Sequence, residues 1–447
     1  MEKGPGCRAA GALPRAWAVL ASSGDGVPDG WGLVRGTRSP REQRSLRTTW
    51  GPFVTRSTTH VSSDAATAAP RSASSAVAEG RTRAVPDWKP GAAFTLGAED
   101  ELLLTDGDGR LLGQRALPAM TRLRRLLPGE HTVDGEIFVD EVELRTPACR
   151  DAEALRDALG TLRRSAALAE VGLMAVGVHP EAELGTARIA ASPRYDRLGE
   201  EFAGLLRTPT AAFQVHVGLP DIETAMVVYR ALRNRLSIFR ALAAGSPYWH
   251  GRDSGLACVR SAILRSYPRT TMPPVLRSWE HYVDTIGRQM SAADVPDYTY
   301  VCWELRPQPR LGTLEVRVMD AQPSLERAAG LAALLQGLAR HAVEVPDRDD
   351  LPDEVVLAND FAVCRHGLDA RVLDLDGSRR PLRELAARAL EDARRWLAPD
   401  GLEPPLEAAL AILVEPPEYV RQRDIIGRHG MPGLLADLAA RTMDVDG

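Results

Sequence analysis

The strongest constraint on this chain is a pair of strand-length runs that carry acids among large apolar residues. The first spans 94–104 and reads FTLGAEDELLL; the second spans 313–320 and reads TLEVRVMD. Alternate side chains of a strand share a face, so Glu99 and Glu101 point one way together, as do Glu315 and Arg317. Carboxylates flanked by Leu and Val are costly to desolvate unless something pairs them. A solvent-facing edge of a half-buried antiparallel sheet would explain a lone E-x-E. Recurrence of the pattern favours a different partner. Two acids on one face suit a divalent cation, and an all-oxygen cluster suits Mg²⁺ with a substrate phosphate.

The 447 residues leave room for two or three average domains. A net charge of −5 and a pI near 6.1 give no sign of nucleic-acid binding. No apolar run approaches the roughly 20 residues of a bilayer span. The cysteines, Cys7, Cys149, Cys258, Cys302 and Cys364, are scattered and form no CxxC pair or Cys/His cluster. That pattern points to reduced thiols in a cytoplasmic protein.

Residues 1–90 are rich in Gly, Ser, Thr, Ala, Pro and Arg and lack periodicity. The expectation is a disordered N-terminal extension, or translation assigned from too early a start; a transit peptide is the weaker alternative. Residues 91–447 form the expected catalytic domain. Within it, Asp106-Gly107-Asp108-Gly109 marks a turn after the first strand. A helix is expected over 117–127, a strand over 135–144 with Glu136 and Glu143, and a helix from an Asp151 cap to about Glu170. A short strand at 173–178 and a helix at 193–206 follow. The run 212–218 alternates, placing Gln214, His216 and Gly218 on one face. Helices are expected over 222–243 and 277–290, and a strand over 300–307. After the strand at 313–319, helices follow over 324–342, 381–397, 405–414 and 432–442. This order is neither regular βαβ nor all-β, which favours α+β with a mainly antiparallel sheet. The loop around Arg252, with Arg260, Arg265 and Arg269 after it, fits either a solvated basic face or a site for anionic groups.

Five ordered blocks, TLGAEDELLL, FQVHVGLPD, NRLSIFRALAAGSPYWHGRDSGLACVRSA, WELRPQPRLGTLEVRVMDAQ and CRHGLDARVLD, resemble the carboxylate-amine ligase family, the bacterial glutamate–cysteine ligase type 2 group. The resemblance covers roughly 93–445. It implies a glutamine synthetase-like core, an antiparallel sheet curled into a funnel with helices outside. It also implies ATP-dependent joining of a carboxylate to an amine with Mg²⁺, for the named activity glutamate and cysteine, through an acyl phosphate. By this resemblance Glu99, Glu101, Glu136, Glu143 and Glu315 hold metal. His216 lies beside nucleotide and metal, Arg317 faces phosphate, and Arg306 and Arg252 contact substrate, with Arg306 and Arg317 also taking part in catalysis. Gln214 stands where the family usually has His, Asp100 where it has Glu, and Glu304 where it has Asp. Asp100 is expected to point away from the site.

The chemistry fits. Phosphorylation turns a carboxylate into an acyl donor, and phosphoryl transfer needs charge neutralisation more than covalent help. No P-loop, GxGxxG or GxSxG motif competes. A metal-dependent hydrolase and a non-catalytic ATP-binding protein remain alternatives. Expected partners are amino acids and ATP, with no nucleic acid and no membrane; assembly into a homo-oligomer is left open. Because converging acids repel without a cation, Glu315→Gln is expected to spare or raise the stability of the metal-free fold.

Overall fold

The structure is a computed structural model that describes residues 85–445 except 186. The expected extension over 1–90 lies, up to residue 84, outside the described residues.

One mainly antiparallel sheet carries the fold. Its strands are β1 (Leu96–Thr105), β2 (Thr132–Gly135), β3 (Glu141–Arg145), β4 (Gly172–Met174), β5 (Ala212–Gly218), β6 (Leu305–Gln308) and β7 (Thr313–Asp320). They pair in the order β6-β7-β5-β1-β3-β2, and β4 continues the β5 side of β1 from Leu103. The alternation in β1 decides which face does what. Leu96, Ala98, Asp100, Leu102 and Leu104 are buried, whereas Gly97, Glu99 and Glu101 look the other way.

The buried face meets helices α2 (Ala152–Leu168), α4 (Ile222–Ala243) and α7 (Leu325–Glu344), which follow α1 (Ala116–Arg124), α3 (Pro193–Phe202), α5 (Val259–Leu264) and α6 (Trp279–Ala293) in the chain. Each of the three is started by a side-chain cap: Asp151, Asp221 and Ser324 accept from the backbone N–H three residues on. Behind α7 lie α9 (Leu382–Leu397) and α10 (Leu406–Val414), after α8 (Asp353–His366) and before α11 (Glu418–Met443). Gly337 permits the α7–α9 contact, since a Cβ there would sit 2.7 Å from Ala393 Cα.

Asp100 points into this helical layer, away from the acid face. It pairs with Arg163 of α2 at 3.0 Å, both side chains fully buried. Arg163 also donates to the Gln322 and Pro323 carbonyls, so one guanidinium ties β1, α2 and the β7–α7 connection together.

Several expectations need correction. The run 135–144 is two strands, not one. The Glu141 carboxylate folds back to accept from the Phe138 N–H at 3.1 Å, closing a turn that seats Phe138 in the core. Glu136 is therefore on that turn and Glu143 on β3. The strand expected at 300–307 breaks at Glu304, whose backbone bonds to Thr271 and Arg317 on different neighbours while its carboxylate pairs with Arg240 at 3.1 Å. Opposite this break β7 slips register between Val316 and Met319. Such bulges re-aim side chains, and Arg317 lies within this one. Helix α8 was not expected, and α11 begins earlier than 432, running through a non-helical Gly430. The arginines after Arg252 do not form a solvated basic face: Arg260 is buried, Arg265 pairs with Asp360 at 2.6 Å and Arg269 with Glu201.

Candidate active site

Cross-strand register assembles the site. Residues directly opposite on antiparallel strands share a face. Arg306 of β6 stands opposite Glu315 of β7, which stands opposite His216 of β5. Gln214 stands opposite Glu99 of β1, and Glu99 opposite Arg145 of β3. Glu101 faces Glu143, which faces Asp134 of β2. Period-two alternation on six strands thus tiles one sheet face with acids, arginines, an amide and an imidazole.

The two ends of the row differ. At one end Glu315, with no exposed side-chain area, is saturated by donors. Arg306 grips it with two prongs at 3.0 and 3.3 Å, Gln308 donates at 2.6 Å, and Arg317 also donates to it. Burial alone would raise the Glu315 carboxyl, but Arg306 and Arg317 overcome that and hold it well below the usual range. Glu315 in turn pushes the Arg317 guanidinium up.

At the other end acids outnumber cations, and Arg145 pairs with Glu143 at 3.2 Å. Burial, reinforced by Glu136, raises Glu101 to about 7. Glu143 is raised by burial and by Glu99, Glu136 and Glu101, and it shares a hydrogen bond with Glu136, itself raised by burial.

Between the ends, the Gln214 amide donates to Glu101 and accepts from Arg317, a relay that a neutral amide can make in both directions at once. His216 Nε2 lies 3.3 Å from Glu99 Oε1, and its Nδ1 3.0 Å from the Thr313 hydroxyl. Burial would lower His216, but the Glu99 hydrogen bond and charge raise it. Burial and Glu315 push Glu99 up, yet His216 leaves it lowered overall.

A cavity of about 640 Å³ covers this face, lined by Glu99, Glu101, Glu136, Glu143, Arg306 and Arg317 and roofed by 190–198, Thr299 and Cys302. A second, of about 410 Å³, lies beyond Glu99 and Arg145 against His216, with a small-residue floor at Gly97 and Gly218. A Cβ on Gly97 would meet only His216 Cβ at 3.9 Å, so the floor is flat and open.

The donor set fits a hard divalent cation. One ligand atom each from Glu99, His216 and Glu315 lies within 4.8 Å of the others. Glu315 is already occupied by its arginines, however. The carboxylates Glu99, Glu101, Glu136 and Glu143, none of them gripped by two arginines as Glu315 is, are the better all-oxygen set, and Mg²⁺ prefers such oxygens.

Of the residues singled out from sequence, the structure gathers Glu99, Glu101, Glu136, Glu143, His216, Glu315, Arg306 and Arg317. Arg252 is not gathered. It is exposed in a two-residue hairpin opposite Trp249 and lines neither cavity. Arg145, Asp134, Arg194 and Tyr195 line the larger cavity without having been singled out. The Glu141-Val142-Glu143-Leu144-Arg145 alternation would have disclosed Arg145; Arg194, delivered by the start of α3, leaves no such signal.

An acid-and-arginine cavity on an antiparallel sheet, with no P-loop motif in the sequence, suits a ligase that uses ATP. The glutamate–cysteine ligase family 2 model matches residues 95–420, and the chain belongs to that family. A protein of Rubrobacter xylanophilus provisionally named glutamate–cysteine ligase 2-3 is 36% identical over 357 residues, covering 78% of this chain and 96% of its own. One from Thermobifida fusca, provisionally named glutamate–cysteine ligase 2, is 33% identical over 360 residues, covering 77% and 90%. The fold is like that of the Francisella tularensis glutamate–cysteine ligase solved with AMP, with a TM-score of 0.62, 13% identity and coverage of 80% and 89%. The chain is therefore an ATP-dependent ligase forming a carbon–nitrogen bond. No helix among the described residues is long and apolar enough to cross a membrane.

Proposed function

We propose that this chain joins the γ-carboxylate of glutamate to the amino group of cysteine in the cytoplasm, at the expense of ATP and with Mg²⁺. The observation that carries the reading is the charge-split row on one sheet face: arginines locked on Glu315 at one end, carboxylates in excess of cations at the other, one cavity over both.

In the first step a carboxylate oxygen of glutamate takes the γ-phosphoryl group, the bond to the β-phosphate oxygen breaks, and ADP leaves. In the second, the amine nitrogen attacks the acyl carbon, the C–N bond forms, the C–O bond to phosphate breaks, and the ammonium loses a proton. Arg317 holds the transferring phosphoryl group, because a rigid two-pronged guanidinium matches its oxygens. Glu315 and Gln214 fix the Arg317 side chain in place. Arg306, anchored on Glu315 and open to the cavity, steadies substrate charge. His216 keeps Glu99 ionised on the nucleotide side. Glu99, Glu101, Glu136 and Glu143 are the residues that would hold Mg²⁺, which when bound neutralises phosphate charge.

The test is ADP release measured with glutamate, cysteine, both and neither. A ligase needs both; a hydrolase needs no amine. Arg317→Lys should lower kcat by about 100-fold, since a point charge replaces the fork. Wild-type rates in that variant would remove Arg317 from its role.

A further inference from the structure

The two cavities of the site touch at one place. Among the described residues, Glu99 and Arg145 alone line both of them. The two stand opposite each other on β1 and β3 and share the acid-bearing face. Glu99 is engaged by His216 at 3.3 Å, and His216 lines the smaller cavity. Arg145 is anchored through two of its nitrogens. Its Nη2 pairs with Asp134, and its Nε lies 3.2 Å from a Glu143 oxygen and donates to the Thr132 hydroxyl at 3.2 Å. Its Nη1 has no partner among the described residues, and the side chain is 41% exposed. The smaller cavity, of about 410 Å³, has the size of a small-molecule site. Small and apolar residues make most of its lining, among them Gly91, Ala92, Gly97, Ala148 and Leu311. Arg145 is the one arginine or lysine among the described residues that line it; Arg194, Arg306 and Arg317 line the larger cavity but not this one.

We propose that Arg145 is a nucleotide-binding residue, its Nη1 donating to the phosphates that stay on ADP. This rests on the ligase reading above, which puts the transferring phosphoryl group on Arg317 in the larger cavity. The nucleoside of the same nucleotide has to lie within reach of that group. The smaller cavity offers a base and ribose a flat floor of small residues, whereas the larger one is walled by Glu101, Glu136 and Glu143. The phosphate chain that links the nucleoside to Arg317 then crosses at Glu99 and Arg145. It meets a carboxylate on one strand and a guanidinium on the next, and of the two only the guanidinium donates to phosphate oxygens. Asp134 and Glu143 fix the plane of that guanidinium and leave Nη1 over, so the contact is made without reordering the side chain.

The test is calorimetric titration of the wild-type protein and Arg145→Met with ADP and with adenosine at saturating Mg²⁺. Alongside it, the KM values for ATP and glutamate are measured, and the shift in melting temperature on adding Mg²⁺ alone. The expected result is an ADP affinity about tenfold lower in Arg145→Met, the order of a single charge-assisted hydrogen bond, with adenosine affinity unchanged. The KM for ATP should rise by a similar factor while that for glutamate holds. Arg145→Lys should recover part of the ADP affinity, because it keeps the charge and loses the planar fork. Should Arg145→Met fail to fold, Arg145→Lys decides, with ADP several-fold weaker than in wild type and adenosine unmoved. If adenosine binds too weakly to compare, the KM for ATP decides in its place, and no rise overturns the assignment. Equal ADP affinity in wild type and variant, or an equal loss for adenosine and ADP, would also overturn it. So would a Mg²⁺ shift that shrinks in Arg145→Met in step with the ADP loss, since Arg145 would then act through Glu143. In each of those cases the wild-type protein still binds ADP, and the ligase reading stands. If the wild-type protein binds neither ADP nor adenosine, the ligase reading falls and takes this one with it.

Discussion

Glu315, fully buried behind the cavity, and Glu136, half-buried in its wall, have surroundings that make opposite demands. Glu315 is the counter-ion of Arg306 and Arg317. Neutralising it leaves two half-buried guanidinium groups without their counter-ion, and an amide NH₂ would abut their N–H groups. The sequence suggested that Glu315→Gln would spare the metal-free fold; the structure reverses this, and a loss of about 3 kcal/mol is expected by chemical denaturation, with activity abolished. Glu136 is the contrary case, raised by burial among other acids. Glu136→Gln should leave the metal-free fold as stable or more so, while the stabilisation seen on adding Mg²⁺ shrinks, since linkage follows affinity for the folded state. A melting temperature that falls in Glu136→Gln and holds in Glu315→Gln would contradict this charge map. The same acids set a pH dependence. Burial and Glu136 raise Glu101 to about 7 in the folded chain, above the 4.5 of an ordinary carboxyl. Between those values the folded state binds more protons than the unfolded state, so stability is fullest below pH 4.5 with respect to this group and is lost as pH rises through 7. Glu136, Glu143 and His216, also raised, act in the same direction. In EDTA, the urea midpoint should therefore be lower at pH 8 than at pH 6, and Glu101→Gln should flatten the slope.

Among the elements, β1 does two jobs by alternation. One face carries Glu99 and Glu101 to the cavity and the other carries Asp100 to Arg163. Breaking that fully buried pair with Arg163→Met should cost about 3–5 kcal/mol, and replacing both partners by Asp100→Leu with Arg163→Met should recover most of it. Equal losses in the single and double variants would show that Arg163 acts through its backbone contacts alone. This element also shows why part of the design was legible in advance. Period-two alternation and helix caps are local, so β1, β5, β7, α4 and their inward acids could be read directly. What could not be read arises from tertiary pairing. Glu141 curls back on Phe138 and splits an apparent strand, and Glu304 is drawn to Arg240 and interrupts another. Arg252 stood in a promising Gly-rich loop, but nothing local said that the loop pairs with Trp249 away from the cavity. Arg260 looked like one of several surface arginines because its burial depends on strands and helices distant in sequence.

At the scale of the whole molecule, the segment just before β1 is part of the body. Val85 is buried, Trp88 meets Trp279 edge-on at 5.7 Å, and Lys89 N–H donates to the Pro309 carbonyl. Gly312, at φ 65°, lets this segment pass, since a Cβ there would collide with the Lys89 carbonyl. A chain starting at residue 85 should keep its melting temperature and activity, and one starting at residue 93 should lose on the order of 2 kcal/mol; equal stability of the two would place the domain edge later. The central claim is that the charge-split cavity activates a carboxylate by phosphorylation and passes it to an amine. Its most direct test uses glutamate labelled with ¹⁸O in the γ-carboxylate, with mass analysis of the released phosphate. The account predicts one ¹⁸O atom transferred to each phosphate, and only when the amine is present to complete turnover. Phosphate released without label, at the same rate with or without the amine, would contradict it.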